Sequence, residues 1–176
     1  MTPAETQKFG SSSVSVALAQ LNPHLGDVSA NCQKLLQMRE RAAAKGADII
    51  LTPEMFLAGY PADDLVLRAD FMDRIEAAIR RLAKATADGG PAIIVGAPCR
   101  DKDVLYNSAF ILDGGKIVAR RDKVNLPNYG VFDDKRHFTP GQLQGPVLLR
   151  GMRLGIAVCE DIWFPDLCEM LGETGA

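Results

Sequence analysis

Apolar positions set a strand–helix rhythm along the first half of the chain. Residues 14–21 (VSVALAQL) are short, alternating and rich in β-branched side chains, which predicts a strand. Asp27 is placed to cap a helix running to about residue 45. Cys32, Leu35, Leu36, Met38 and Ala42 fall near one face of it, and Gly46 closes it. Residues 48–51 predict a buried strand, followed at once by Thr-Pro-Glu. Beyond the loop GYPADD, Phe71, Met72, Ile75, Ile79 and Leu82 recur at helical spacing within about residues 70–87. From Pro91 the pattern changes. Residues 92–97 (AIIVGA) predict a strongly apolar strand, and 107–112 with 116–121 predict a hairpin around Asp113-Gly114-Gly115. Residues 123–145 form a long irregular connection, which in a compact domain is more often functional than idle. Two strands over 147–150 and 152–159 and a short helix over 163–171 complete the pattern. This order describes an α/β domain with helices covering sheet faces.

Composition narrows the classes. At 176 residues, with 47% apolar and 24% charged residues, the chain fits one soluble globular domain with a real core. The 20 basic and 22 acidic residues are mixed along it, so no basic block marks a nucleic-acid or membrane surface. Residues 1–12 read as a polar, Ser-rich, flexible leader rather than a signal peptide. No run approaches the ~20 apolar residues that span a bilayer. Cys32, Cys99, Cys159 and Cys168 include no Cys-x-x-Cys pair, and only His24 and His137 could join them, which argues against zinc. Free thiols in a reducing cytoplasm are then the default. The absence of Gly-x-Gly-x-x-Gly removes a dinucleotide-binding reading.

Three reactive residues stand at expected strand ends, where sites gather in open α/β sheets. Glu54 follows ADIIL, Lys123 follows KIVARRD, and Cys159 ends GIAV at the turn into a helix. A cysteine at a helix N-terminus is expected to have a lowered pKa. A nearby carboxylate can take its proton, and a lysine can hold charge developing on a substrate oxygen. Taken singly, such a cysteine is more often a buried small hydrophobe, and Glu54 and Lys123 are surface charges. Cys32 reads as part of a helix core face, and Cys99 and Cys168 as structural or idle thiols.

The surrounding strings sharpen the choice. LTPEMFLAGYPADDLVLR, DKVNLPNYGVFDDKRHF and GIAVCEDIWFPD resemble, in order, the three signature regions of the nitrilase superfamily of carbon–nitrogen hydrolases. Within it, PE-x-x-x-x-GYP followed by DDL-x-LR, LPNYGVFD with KR-x-F, and CEDIW look like the glutaminase domains of glutamine-dependent NAD synthetases. The resemblance implies an α-β-β-α sandwich, incomplete in this chain, and a Glu–Lys–Cys triad at Glu54 (general base), Lys123 (oxyanion stabiliser) and Cys159 (nucleophile). It implies hydrolysis of glutamine through a cysteine thioester, without a metal, and delivery of ammonia to a synthetase domain that amidates deamido-NAD with ATP and Mg. Tyr60, Tyr129 and Glu160 match positions around the glutamine site. Glu160 reads as a counter-charge to the substrate α-amino group, or as a structural carboxylate. Trp163 reads as a pocket wall or as core. Asp134 stands where many members carry a supporting Glu, so its shorter side chain requires an adjusted geometry or gives weaker support. No Ser-Gly-Gly-x-Asp-Ser phosphate loop occurs, so residues 13–176 are expected to be the N-terminal part of a glutaminase domain, with the synthetase domain absent. A cytoplasmic homo-oligomer is the implied setting. Two alternatives stand beside it: an amidase acting on another small amide, and a catalytically silent fragment whose apolar edge associates with another chain.

Overall fold

A computed structural model describes residues 13–176, and the leader expected over 1–12 lies outside the described residues. Seven strands and three α-helices follow in chain order. These are β1 (Val16–Leu18), α1 (Val28–Ala44), β2 (Ile49–Leu51), α2 (Ala69–Ala85), β3 (Ala92–Asp101), β4 (Val104–Asp113), β5 (Lys116–Asp122), β6 (Val147–Leu149), β7 (Met152–Leu154) and α3 (Pro165–Glu173). The first five strands form one sheet in sequence order. β1, β2 and β3 run parallel, as strands joined through helical crossovers do, whereas β3–β4 and β4–β5 are antiparallel.

Side-chain alternation divides the sheet into two faces. Ile50, Ile93, Val95, Ala97, Phe110 and Leu112 pack in one cluster with Cys32 and Leu35 of α1 and with Phe71, Met72, Ile75, Ile79 and Leu82 of α2. Ile49, Ala92, Ile94, Ala109 and Ile111 belong to a second cluster, completed by Val147, Leu149 and Val158. Helices thus cover one face, and the β6–β7 hairpin with the chain before Cys159 covers the other. Asp27 caps α1 through a hydrogen bond from Ala30 N–H to Oδ1 at 3.0 Å.

Several boundaries differ from the sequence reading. β1 is only three residues long. β3 and β4 extend to ten residues each, pairing from Ile93↔Leu112 to Asp101↔Val104. Pro98 hid this extension, because proline suppresses a strand reading. It is tolerated where β3 has outrun β2 and has a strand on one side only. The strand expected to reach Cys159 stops at Leu154. Residues 155–158 have no ladder partner among the described residues, and Cys159 opens a five-residue 3₁₀ turn, Cys159–Trp163.

Candidate active site

The loop after β2 carries Glu54 onto β3 through Gly96. Gly96 N–H donates to Thr52 Oγ1 (3.2 Å), and its carbonyl accepts from Leu57 N–H (3.1 Å). A Cβ at Gly96 would lie 2.6 Å from Met55 N and 2.9 Å from the Glu54 carbonyl carbon. Glycine at this position is therefore what lets the Glu54 loop rest against the strand.

Lys123 follows β5 and is 1% exposed. Its Nζ donates to Glu54 Oε1 at 2.6 Å and to Asp134 Oδ2 at 2.8 Å. Burial alone would lower its pKa, but hydrogen bonds and charge from Asp134 and Glu54 outweigh that and hold the ammonium above the ordinary lysine value. Asp134 sits in a 3₁₀ turn, Asp134–Arg136, with its N–H bonded to Pro127 O at 3.1 Å. Tyr60 OH donates to Asp134 Oδ1 at 3.2 Å. Burial, then the charges of Asp134 and Glu54, push the Tyr60 phenol upward. The shorter Asp134 side chain thus does reach the lysine, because the turn brings its backbone close.

Cys159 is exposed and adopts φ +46°, a left-handed conformation that is uncommon for a non-glycine residue and concentrates at functional sites. It lines a cavity of about 320 Å³ together with Glu54, Thr52, Gly96, Ser108 and Val158. Burial pushes the thiol up, the Glu54 charge pushes it further, and Lys123 opposes both. This corrects the expectation of a thiol lowered by a helix N-terminus. A five-residue 3₁₀ turn supplies little dipole, and burial and the Glu54 charge outweigh Lys123. The arrangement therefore sets the Cys159 thiol in the same cavity as the Glu54 carboxylate. The Cys159 and Glu160 amides open the turn, where the first N–H groups have no intrahelical acceptor.

Around this centre, Tyr129 OH lies 3.0 and 2.9 Å from the two carboxylate oxygens of Glu160, the tyrosine exposed and the glutamate half-buried. Their mutual hydrogen bond raises the Tyr129 pKa. Trp163 is 77% exposed at the end of the turn, so the core-packing reading is corrected. Two buried residues escaped the sequence reading. Asn107 donates from Nδ2 to Glu54 Oε1 at 2.7 Å. Asp161 accepts from Val124 N–H (3.0 Å) and Asn125 N–H (2.7 Å) on Oδ1, and from Val158 N–H (3.0 Å) on Oδ2. Asp161 thus ties the segment after Lys123 to the segment before Cys159. The only sequence signal for Asn107 was a polar residue opening an apolar strand.

Known proteins share the sequence and fold of this chain. The carbon-nitrogen hydrolase family model matches residues 15–176. A glutamine-dependent NAD(+) synthetase from Rhodobacter capsulatus is 41% identical over 92% of this chain and 29% of its own length. The structure of a glutamine-dependent NAD+ synthetase from Acinetobacter baumannii, in complex with ADP, superimposes with a TM-score of 0.84. It is 36% identical, over 90% of this chain and 30% of that one. An amidase from Nesterenkonia sp. gives a TM-score of 0.81 at 29% identity, over 93% of this chain and 62% of that one. The chain thus spans less than a third of the length of the synthetases it matches. Its α/β architecture is that of the nitrilase superfamily. With the family model covering nearly all of it, this chain belongs to the carbon–nitrogen hydrolase family.

Proposed function

We propose that residues 13–176 are the N-terminal part of a glutaminase domain, hydrolysing the glutamine side-chain amide through a thioester on Cys159. The observation that carries this reading is the Glu54–Lys123–Asp134 cluster beside Cys159, assembled from three separate segments. Cys159 sulfur attacks the amide carbon while its proton passes to Glu54, and the carbonyl π electrons move onto oxygen. Lys123 and a backbone N–H at the head of the 3₁₀ turn hold that oxyanion. Collapse of the intermediate re-forms the C=O bond and breaks the C–N bond, with Glu54 returning the proton to departing ammonia. Water then attacks the thioester, giving its proton to Glu54, and glutamate leaves as sulfur regains a proton.

Tyr129 and Glu160 offer a carboxylate with a hydroxyl partner, suited to the α-ammonium of glutamine. Tyr60 orients Asp134. Ammonia would pass to a synthetase domain that binds ATP and Mg and amidates deamido-NAD, in a cytoplasmic homo-oligomer. The support for this wider role is the identity of the similar synthetases. No helix among the described residues is long and apolar enough to cross a membrane.

Similarity to the Nesterenkonia amidase keeps a second substrate class open. Ammonia release from glutamine, asparagine and a simple aliphatic amide distinguishes the two readings. Glutamine is expected to be preferred by about tenfold or more over an amide lacking the α-ammonium, as for hydrogen bonds to a charged group. Equal or faster turnover of the simple amide would overturn the glutaminase assignment.

A further inference from the structure

We infer that Asn107 is the positioning residue for Glu54, fixing one carboxylate oxygen so that proton transfer is confined to the other. The inference rests on the proposed role of Glu54 as base. Asn107 lies in β4, is 1% exposed, and precedes the apolar run SAFIL. Its Nδ2 lies 2.7 Å from Glu54 Oε1, and Lys123 Nζ reaches the same oxygen at 2.6 Å. A carboxylate oxygen can only accept, so the amide group facing it is the NH₂. Two donors therefore saturate Oε1, and among the described residues no donor reaches Oε2, which leaves that oxygen for the thiol proton. The Asn107 main chain joins the same arrangement, its carbonyl accepting from Lys123 N–H at 2.8 Å. One residue thus holds both the backbone of the lysine and the side chain of the glutamate.

The other end of the amide supports the assignment. Asn107 Oδ1 is buried and has no hydrogen-bond partner among the described residues. An unmade buried hydrogen bond is unfavourable, so packing alone would prefer an apolar side chain here. What Asn107 gains in exchange is its single donor contact to Glu54. That contact fixes the direction in which the Glu54 carboxylate points.

The test compares Asn107→Ala and the isosteric Asn107→Asp with wild type in the full chain. Ammonia release from glutamine and the rate of Cys159 alkylation by iodoacetamide are each followed, and thermal melting serves as the fold control. kcat should fall by about tenfold or more in Asn107→Ala with KM little changed, as for a lost transition-state contact. The Asp variant, which sets a second acceptor against Glu54 Oε1, should lose at least as much. Alkylation of Cys159 should slow in step with kcat. A kcat within about twofold of wild type would overturn the inference, as would failure of both variants to fold, which makes Asn107 structural. If wild type releases no ammonia from glutamine, the proposed function fails instead, and the alkylation rates still decide the role of Asn107.

Discussion

Lys123 carries the sharpest electrostatic demand in the molecule. An ammonium 1% exposed is tolerated because two carboxylates meet it, and each carboxylate is tolerated because of the ammonium. Lys123→Met is expected to abolish activity and destabilise the fold by about 3–5 kcal/mol at neutral pH, since Glu54 and Asp134 would face each other uncompensated. Denaturant melting at neutral pH reads that loss directly. The folded lysine pKa is raised, so its contribution is complete below the ordinary lysine value and is lost as pH rises through the folded value. Wild type should therefore lose stability in strong alkali by a component that the Met variant lacks. At this scale Glu54, Lys123 and Cys159 were legible because they end or follow apolar runs within recognisable strings. Asn107 and Asp161 were not, since periodicity does not show which polar residue turns inward.

Among the elements, the 3₁₀ turn and the long 123–145 connection act together through Asp161. One carboxylate accepting three backbone N–H groups holds the segment before Cys159 against the one after Lys123. Asp161→Asn should impair this, because its NH₂ must face a donor already present. Ammonia release is expected to fall by tenfold or more, with a stability loss of about 1–3 kcal/mol by denaturant melting. On the helical side, Arg39 of α1 clasps Asp88 beyond α2, at 2.6 Å, and donates to Pro91 O at 2.7 Å. The Arg39 guanidinium holds the Asp88 carboxyl well below the usual carboxylate range. That contribution exists above the unfolded aspartate pKa and is lost as pH falls through the folded one. Asp88→Asn should accordingly lower Tm at neutral pH and reduce the steepness of acid unfolding. The helices, the early strands and the β4–β5 hairpin were legible from periodicity and turn residues. The β3–β4 extension and the end of β7 were not, because they depend on which neighbouring strand is within reach.

Across the whole molecule, the two faces of the sheet divide the labour. Helices close one, while the other carries the cavity shared by Glu54, Val158 and Cys159. Large apolar side chains remain exposed on β1 (Val16, Leu18) and around the nucleophile turn (Ile162, Trp163, Phe164). Trp163 is the chain's one tryptophan, so fluorescence reads this surface directly. In these 176 residues its emission should be red-shifted and freely quenched by iodide; a blue-shifted, protected signal would contradict the exposed turn. The central claim is that Cys159, Glu54 and Lys123 form a working glutamine site. The most direct measurement is labelling by a diazoketone analogue of glutamine, with and without excess glutamine, with adducts mapped by peptide mass. The account predicts modification at Cys159 alone, suppressed by glutamine and greatly slowed in Glu54→Gln. Equal labelling of Cys32, Cys99, Cys159 and Cys168, unprotected by glutamine, would contradict it.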